Sequence, residues 1–401
     1  MPKSVVFIGH YNGAKDDFDT RHFFFAKELV GLGYKTTIIN AAFSHRIHDA
    51  KLIDNQYISH IDSGVSFFSI KTPFYKGNGL RRIVNMFAFV LNLIKSTKKL
   101  LVEIGNIDVI IMASPHPFAI FAAKFMANKA KAKLIIDIKD IWPLSITELT
   151  SAKKYHPFVM LTKLTELFAY RVQDKIISPL NNINEYFYDS GLNIQAKHIP
   201  TGLDLDFYEN INHKNLQIDI PSDKFIVGYI GGITKSNAIE FLLESANYFL
   251  QNYKDILFLV VGDGSNKNNL VKKYNSSNIL YIDAVKKEEA FMIMSKCDVL
   301  YRAMLPLKIY SYGISPLKMN EYMFAGVPIV HSFDYKEHDI VMKAGCGISV
   351  KSGSMLEIQN AILKIYNMPK EEREQMGQNG KEYVKNNLSY KVLVKKMIEV
   401  L

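Results

Sequence analysis

Short apolar runs alternate with longer segments of helical periodicity along the whole chain. Within the runs, apolar residues follow one another without a polar residue at every second position, which is typical of strands buried on both faces of a parallel sheet. Helices of about 10 to 20 residues fit between most of the runs, for example at 20–32, 239–252 and 356–367. The pattern predicts twelve strands: 4–9, 35–40, 66–71, 108–113, 134–138, 175–178, 225–230, 257–261, 279–282, 299–301, 328–331 and 347–350.

This alternation predicts an α/β protein in which helices cover both faces of parallel sheets. Twelve strands are more than one ordinary sheet holds, so we expect two doubly wound, Rossmann-like domains. A weak internal repeat supports two domains, because SVVFIGHYNGAK (4–15) and FIVGYIGGITKS (225–236) both run from an apolar strand into a loop with glycine. Ligands of doubly wound folds bind at the carboxyl ends of the strands, and two domains facing each other would enclose a cleft there.

A Pro-Thr-Gly turn interrupts the pattern within HIPTGLDLDFYEN (198–210) and marks the boundary between the domains. We predict a first domain over 1–205 and a second over 206–383. The final segment, 384–401, is predicted to be a helix that packs back on the first domain.

Length and composition restrict the class of protein. The chain has 401 residues, of which 48% are hydrophobic and 22% charged, which excludes a disordered chain, a collagen-like repeat and a small disulfide scaffold. Cys297 and Cys346, the two cysteines, lie in apolar stretches, so we expect reduced, buried thiols and a cytoplasmic protein. The first apolar run is too short for a signal peptide, and 83–94 is too short to span a membrane.

Basic residues are concentrated in the first half of the chain. Residues 1–200 carry 25 Lys and Arg against 16 Asp and Glu, a net charge of +9, whereas 201–401 carry 24 against 23, a net charge of +1. Residues 71–154 alone hold 14 basic and 5 acidic side chains. A local basic region indicates an anionic partner, such as a membrane surface, a lipid-linked substrate or nucleic acid.

The segment 81–101 has an apolar centre and basic residues near both ends. Such a helix could lie on an anionic bilayer and reach lipid head groups through its cations, or it could be a core helix with charged termini. Nucleic acid is less favoured, because no reading motif or interleaved aromatic platform accompanies the charge. The cations concerned are Arg81, Arg82, Lys95, Lys98 and Lys99.

The strongest local signal is SPLKMNEYMFAGVPIV (315–330). Ser315 is predicted to cap a helix with Pro316 at its first position and Leu317 after it. The start of a helix suits a phosphate, and Lys318 would add a full positive charge in the first turn. Glu321 lies on the same face, where its carboxylate could accept both hydroxyls of a ribose. An ordinary capped amphipathic helix with a solvated Lys–Glu pair would give the same pattern.

Glycine-bearing loops follow three predicted strands, and each could equally be a tight βα turn. Gly231 and Gly232 precede Lys235, where backbone amides could approach a diphosphate and the lysine could neutralise it. Gly262 follows the next strand in the same way, and Gly13 belongs to the corresponding loop of the first domain.

Other candidate chemistry is sparse. His116, in SPHPF, follows the strand 108–113 at an end predicted to face the cleft, although a histidine between prolines is more often structural. The histidines and cysteines show no spacing typical of a metal site, so no metal is expected.

The second half resembles the retaining glycosyltransferases of family 4, which have the GT-B fold. The resemblance is carried by GYIGGITKS, LVVGDGS, SPLKMNEYMFAGVPIV and EHDIVMKAGCGISV, and by the turn HIPTGLDLDFY. In the first half, LIIDIKDIWPLSITEL (134–149) resembles bacterial aminosugar transferases that build O-antigen and capsule.

The resemblance implies a nucleotide-sugar donor, usually a UDP-sugar, that is bound mainly by the second domain without a metal cofactor. Glu321 matches the glutamate that holds the ribose, and Lys318 and Lys235 fall near positions that neutralise the diphosphate. Asp140 is assigned to orienting the sugar or the acceptor.

The chain departs from the family pattern at several positions. Gly313 stands where the family has the first glutamate of its motif, and Gly232 where it has an arginine. Lys139, beside Asp140, stands where the family has a histidine.

We therefore predict a retaining enzyme that transfers a sugar to a hydroxyl acceptor, plausibly a polyprenyl-diphosphate-linked saccharide in surface polysaccharide biosynthesis. It would act at the cytoplasmic face of the membrane as a peripheral protein, and His116 and the cations of 81–101 would serve the acceptor and the bilayer. A non-hydrolysing UDP-sugar 2-epimerase and a non-catalytic nucleotide-sugar-binding subunit are the alternatives.

Overall fold

The computed structural model describes residues 4–14, 20–45, 51–77, 79–114, 116–150, 152–212, 218 and 220–401. The chain divides into two compact units. Unit 1 comprises the described residues up to Thr201 together with Tyr390–Leu401, and unit 2 comprises Gly202–Ser389.

Unit 1 is built on an eight-stranded sheet in the order β3-β4-β2-β1-β5-β6-β7-β8. All neighbouring strands are parallel except β3 and β4, which pair antiparallel at one edge. The strands are β1 (Ser4–Ile8), β2 (Lys35–Ala41), β3 (Tyr57–Asp62), β4 (Val65–Ile70), β5 (Val109–Ala113), β6 (Lys133–Asp137), β7 (Lys175–Ser178) and β8 (Ala196–His198).

Unit 2 contains a six-stranded, fully parallel sheet in the order β11-β10-β9-β12-β13-β14. The order of the strands reverses between β9 and β12, and a crevice opens at such a switch point of a doubly wound sheet. The strands are β9 (Phe225–Ile230), β10 (Ile256–Val261), β11 (Ile279–Ile282), β12 (Val299–Ala303), β13 (Ile329–Ser332) and β14 (Gly347–Val350).

Helices connect the strands and cover the sheets. Those of unit 1 are α1 (Arg21–Gly31), α2 (Leu80–Ile104), α3 (Ala119–Ala130), α4 (Leu144–Leu149), α5 (Pro157–Val172), α6 (Ile183–Asp189) and, from the end of the chain, α15 (Tyr390–Ile398). Those of unit 2 are α7 (Leu205–Glu209), α8 (Glu240–Asn252), α9 (Lys267–Lys273), α10 (Lys287–Met294), α11 (Leu317–Phe324), α12 (Ile340–Ala344), α13 (Met355–Tyr366) and α14 (Lys370–Asn387).

The end of the chain completes the core of unit 1. Tyr390 stacks on Phe24 with ring centroids 5.0 Å apart, and Met397 is buried beside α1 and the sheet. The Nζ of Lys133 donates a hydrogen bond of 2.8 Å to the carbonyl of Val400. The divisions at 201/202 and 389/390 lie a few residues from the predicted 205/206 and 383/384, because α14 continues to Asn387 within unit 2.

All twelve predicted strands are present to within two residues at either end. The described residues also form two strands that the pattern missed, β3 and β8. β3 is half-exposed and pairs on one side only, so its sequence YISHID lacks the continuous apolar run of a buried strand. β8 has three residues, too few to produce a pattern.

Candidate functional site

Two glycine loops lie against each other at the carboxyl ends of β9 and β10. The N–H of Gly231 donates to the carbonyl of Val261, and the N–H of Ile233 donates to the carbonyl of Asp263. Gly231 and Gly262 have φ angles of 142° and 144°. A Cβ at Gly262 would overlap the backbone of Gly231, so the close contact requires glycine. The two loops therefore form one compact backbone surface beside the switch point.

Helix α11 is fixed against the end of β9 by one tyrosine. The N–H of Ile230 donates to the Oη of Tyr322 (2.8 Å), and the same hydroxyl donates to the carbonyl of Ile230 (2.9 Å). Tyr322 is fully buried on α11. This pair of bonds sets the position of the first turn of α11 relative to the glycine loops.

The predicted cap of this helix is wrong by one residue. Pro316 is the N-cap, with φ −75° and ψ 125°, and the helix begins at Leu317. Ser315 lies one residue before the cap. The shift leaves Lys318 in the first turn, as predicted.

Lys318 lies above the glycine loop in a confined position. Its Nζ is 3.2 Å from the Oη of Tyr229 and 4.8 Å from the centroid of that ring. A Cβ at Gly231 would overlap the end of the lysine side chain, so the glycine makes room for it. Burial, together with the positive charge of Arg302, lowers the pKa of Lys318 to about 7, although Glu321 opposes the shift.

Arg302 is a second cation at this place, and the sequence analysis did not find it. It lies near the carboxyl end of β12, is 5% exposed and donates from Nη1 to the Oδ1 of Asn237 (2.9 Å). Its Nε has no hydrogen-bond partner. Within the described part of the chain, neither Arg302 nor Lys318 forms an ion pair with a carboxylate. The signal that could have revealed it is a single charged residue in the otherwise buried strand VLYRA.

A short hydrogen-bonded chain links this arginine to the glycine loop. Asn237 accepts from Arg302 and donates from Nδ2 to the carbonyl of Gly232 (2.7 Å), which also accepts from the hydroxyl of Tyr229 (2.6 Å). Lys235 begins the 3-10 helix Lys235–Asn237 and is exposed. Lys235 is therefore available to a ligand at the surface, whereas Arg302 is held inside.

Glu321 lies one turn beyond Lys318 on α11. Its Oε1 accepts a hydrogen bond of 2.5 Å from the hydroxyl of Tyr208, a buried residue of α7. The bond fixes one carboxylate oxygen and leaves acceptor capacity on the group for a hydroxyl pair.

Gly313 adopts a backbone conformation that a glutamate could adopt only with strain. It ends the 3-10 helix Lys308–Tyr312 with φ 104° and ψ 159°, a region of backbone space that is essentially restricted to glycine. A glutamate side chain at this position would therefore require the backbone to change its conformation.

A buried arginine and a half-buried lysine, neither paired with a carboxylate, are unfavourable together in the unliganded protein. Together with the glycine loops and the first turn of α11, they create a positive surface at the β9–β12 switch point. Such a surface binds phosphate or diphosphate groups.

Comparisons with known proteins agree with this chemistry. Residues 211–383 match the family model described as "Glycosyl transferases group 1". The match covers less than half of the chain, and over that part unit 2 is similar to the group 1 glycosyl transferases. The predicted resemblance to the family 4 glycosyltransferases, a family of enzymes, is thereby confirmed.

Solved structures cover nearly the whole of this chain. Sucrose-phosphate synthase from Thermosynechococcus elongatus matches with a TM-score of 0.76 at 15% identity, over 99% of this chain and 98% of that chain. Anabaena HepE in complex with UDP and glucose matches with a TM-score of 0.66 at 14% identity, over 100% and 99% of the two chains. The predicted fold class, two doubly wound α/β domains of the GT-B type, is confirmed.

Curated relatives match a smaller part of the chain. The capsular polysaccharide biosynthesis glycosyltransferase CapM of Staphylococcus aureus is 22% identical over 232 residues, which cover 57% of this chain and 58% of CapM. The chain spans somewhat more than half the length of the curated relatives that it matches.

Unit 1 also carries predicted site residues. Asp140 is exposed and lines a small cavity beside the ends of β5 and β6, together with Ser114, Trp142 and Glu166. Gly13 is buried in the loop after β1.

His116 does not face a ligand surface as predicted. It is fully buried, its two ring nitrogens have no hydrogen-bond partner, and its ring meets that of His10 edge-on at 4.8 Å. Burial, together with His10 and Arg82, holds the pKa of His116 well below its usual value, so the ring is neutral. The assignment of His116 to the acceptor is therefore wrong for this conformation, because packing of the aromatic cluster around β1 removes it from the surface.

The same cluster explains why Arg82 is not a free head-group ligand. Its Nε donates a hydrogen bond of 3.0 Å to the Oη of Tyr11, and the guanidinium lies 5.4 Å from that ring. His10 donates to the Oδ1 of Asn85 (2.6 Å), and burial lowers the pKa of His10 to about 3 despite that bond. Arg82 thus interacts with the residues after β1 and not with the solvent-facing side of α2.

The remainder of α2 has the basic side chains and the apolar face that were predicted. Arg81, Lys95, Lys98 and Lys99 are exposed. One face of α2 packs into unit 1 through Met86, Phe89, Val90, Leu93, Leu100 and Ile104. Other apolar side chains of the helix stay exposed, namely Leu80, Val84, Leu91 and Val102. The helix thus contributes to the core, and its contact with a bilayer stays a prediction.

A buried ion-pair network lies at the carboxyl end of β6 in unit 1. Asp137 accepts hydrogen bonds of 2.8 Å from the Nε of Arg21 and from the Nε2 of His22. Burial raises the pKa of Asp137, but Arg21 and His22 outweigh it and hold the pKa well below its ordinary value. Arg21 also donates to the carbonyls of Ile199 and Pro200, so this network is structural.

Among the described residues, no helix is long and apolar enough to cross a membrane. No group of three or more metal-ligating side chains is found in the same set.

Proposed function

We propose that this protein is a glycosyltransferase that transfers a sugar from a UDP-sugar to a hydroxyl group, with unit 2 binding the donor. The observation that carries the proposal is the pair formed by the buried Arg302 and the half-buried Lys318, next to the glycine loops at the β9–β12 switch point. The similarity in fold to HepE, whose structure is in complex with UDP and glucose, supports UDP as the nucleotide.

The chemistry follows from charge. As the bond between the anomeric carbon and the diphosphate breaks, negative charge accumulates on the leaving oxygen and the sugar becomes cation-like. Cations that are already in place stabilise this charge without reorganising. Lys318 and Arg302 would serve the diphosphate, with Lys235 at its exposed side, and Glu321 would hold the ribose hydroxyls.

Transfer with retention places the acceptor hydroxyl on the same face of the sugar as the leaving group. Asp140 of unit 1 is proposed to orient the sugar or the acceptor, because it is exposed at the carboxyl end of β6. No protein metal ligand takes part in this proposal.

We further propose a lipid-linked saccharide as the acceptor, in surface polysaccharide biosynthesis at the cytoplasmic face of the membrane. CapM, a relative in capsular polysaccharide biosynthesis, supports the pathway class. The net charge of +9 over residues 1–200 suits both a lipid diphosphate and an anionic bilayer.

A thermal-shift panel of UDP, GDP, ADP and CMP tests donor binding. A nucleotide at 100 times its dissociation constant stabilises the protein by about 2.7 kcal/mol, which is visible as a raised Tm. We expect a shift selective for UDP that is lost in Glu321→Ala and kept in Glu372→Ala, an exposed glutamate of α14. The absence of a shift with every nucleotide would refute the proposal.

Turnover separates this function from its alternatives. The transferase should consume UDP-sugar only when a saccharide acceptor is present. Conversion of UDP-sugar alone to its 2-epimer, followed by proton NMR, would indicate an epimerase. Nucleotide binding without turnover on any lipid-linked acceptor would indicate a binding subunit.

A further inference from the structure

Apolar side chains form an exposed strip across two neighbouring helices of unit 1. On α3, Phe121 and Phe125 are 40% and 38% exposed, and on α5, Leu164 is 65% exposed. Met160 and Leu161 precede Leu164 by four and three residues, so they share its face of α5, and both are exposed. We call these five residues the α3–α5 strip.

The strip is continuous from one helix to the other. Phe121 stacks on Phe168 with ring centroids 5.1 Å apart, and Phe168 lies one turn beyond Leu164 on α5. The Nζ of Lys124 donates to the carbonyl of Val172, which joins the two helices again. A contiguous exposed apolar surface of this kind marks an interaction site and not scattered surface residues.

The exposed charges on α3 and α5 themselves are positive, and the exposed Asp174 lies two residues beyond the end of α5. No acidic residue occurs between 116 and 136, and the single acidic residue in 152–173, Glu166, is buried and accepts hydrogen bonds from Tyr170 and Tyr186. Lys129 lies 5.8 Å from the ring of Phe125, and Arg171 is exposed in the last turn of α5.

The approach to α5 has the same character. Tyr155 is 75% exposed, and the Nζ of Lys154 lies 4.9 Å from the centroid of its ring. Amphipathic aromatic rings next to lysine are typical of the boundary between water and lipid head groups.

We infer that the α3–α5 strip inserts into an anionic lipid surface, with Lys129, Lys154 and Arg171 among the head groups. A second copy of the chain fits the strip less well, because a symmetric contact would bring the two sets of cations together. The inference rests on the proposed function in one respect, since a lipid-linked acceptor requires an enzyme at the bilayer. It assigns a membrane contact to α3 and α5 in addition to the one predicted for α2, which also exposes the apolar residues Leu80, Val84, Leu91 and Val102.

Vesicle flotation tests the inference with the full chain. The probes are vesicles of phosphatidylglycerol with phosphatidylethanolamine, and vesicles of phosphatidylcholine alone. The strip variant is Phe125→Ser with Leu161→Ser and Leu164→Ser, all at exposed positions. The matched control is Met342→Ser with Met355→Ser and Leu356→Ser, three exposed apolar residues of unit 2.

We expect wild type and control to float with the anionic vesicles and the strip variant to stay behind. Each cation removed should weaken binding about fivefold, so Lys129→Glu with Arg171→Glu should weaken it by at least about 25-fold at low salt. The melting temperature and the UDP thermal shift of each variant show that the fold and the donor site are intact, so failure here is distinguishable from failure of the proposed function.

Equal flotation of wild type and strip variant would overturn the inference, as would the absence of wild-type binding to anionic vesicles. Loss of flotation only after neutralising Arg81, Lys95, Lys98 and Lys99 would instead favour α2. A dimer in sedimentation that the strip variant converts to a monomer, without vesicle binding, would assign the strip to a second copy.

Discussion

Donor binding by unit 2 should take up a proton at Lys318. In the free protein the pKa of Lys318 is lowered to about 7, chiefly by burial and then by Arg302. A diphosphate placed beside this lysine would favour its charged form and return the pKa toward the ordinary value of about 10.4. Binding therefore raises the pKa, and affinity must fall as the pH rises above 7.

The size of the effect follows from the free pKa. The unliganded lysine is about 10% protonated at pH 8, half protonated at pH 7 and about 90% protonated at pH 6. Binding of UDP-glucose should therefore take up about 0.9 proton at pH 8, about 0.5 at pH 7 and about 0.1 at pH 6. Affinity for UDP-glucose should therefore fall about fivefold between pH 7 and pH 8. It should change little between about pH 5.5 and pH 6, because the lysine is already protonated there. UDP-glucose is the better ligand for this measurement, because the terminal phosphate of UDP itself titrates near this pH range.

Titration calorimetry in two buffers of different protonation enthalpy measures the uptake directly. Lys318→Arg is the matched control, since a guanidinium stays charged at these pH values and should bind with no proton uptake. Equal proton uptake in wild type and Lys318→Arg would refute the reasoning. So would pH-independent binding in wild type, because it would place Lys318 away from the diphosphate.

Three further outcomes follow from the contacts. Arg302→Met should weaken UDP-glucose binding by roughly 10- to 150-fold in calorimetry, the range for one charged hydrogen bond. It should not lower the Tm of the unliganded protein, because it removes a buried cation that has no counterion. A lower Tm with unchanged affinity would make Arg302 structural. Gly313→Glu should lower the Tm and fail to raise activity, because φ 104° strains any other residue, and a gain in kcat/KM would contradict this. Asp137→Asn should lower the free energy of unfolding by about 3–5 kcal/mol in urea titrations at pH 7, since it leaves Arg21 buried without a counterion, with no change in UDP affinity. The depressed pKa of Asp137 means that its stabilisation is present above the unfolded pKa and is lost as the pH falls below it, so the difference from Asp137→Asn should shrink in acid.

The sequence was a good guide to the sheets because their strands are buried on both faces. Phe225–Ile230 contains no charged residue and is buried along its length, and such a run has few possible conformations other than a buried strand. Tyr57–Asp62 has no such constraint, since it is a half-exposed edge strand, and its residues carry little information about its conformation.

The candidate site could be predicted only where a local stretch of sequence identifies the residue concerned. Lys318 lies in a segment with a strong helix-start signal, so its place near the carboxyl end of β9 followed from the pattern. Arg302 acquires its role from Asn237, which is 65 positions away, and from its burial. Neither fact is visible in the residues around it. His116 failed for the same reason, because its surroundings come from β1 and α2.

Departures from simple sequence rules mark the places that require a functional explanation. Arg302 lies in an apolar strand without a counterion, and Gly313 interrupts the approach to α11 with a glycine-only conformation. Both belong to the same end of the unit 2 sheet, where an anion would resolve the unpaired charge. Leu164 departs in the opposite sense, since it is an exposed apolar residue on a helix whose only acidic residue is buried. Exposure of such a residue to water is unfavourable, whereas its insertion into a lipid surface is favourable. The two departures therefore fit the two different ligands that we propose, a diphosphate at β12 and a bilayer at α5.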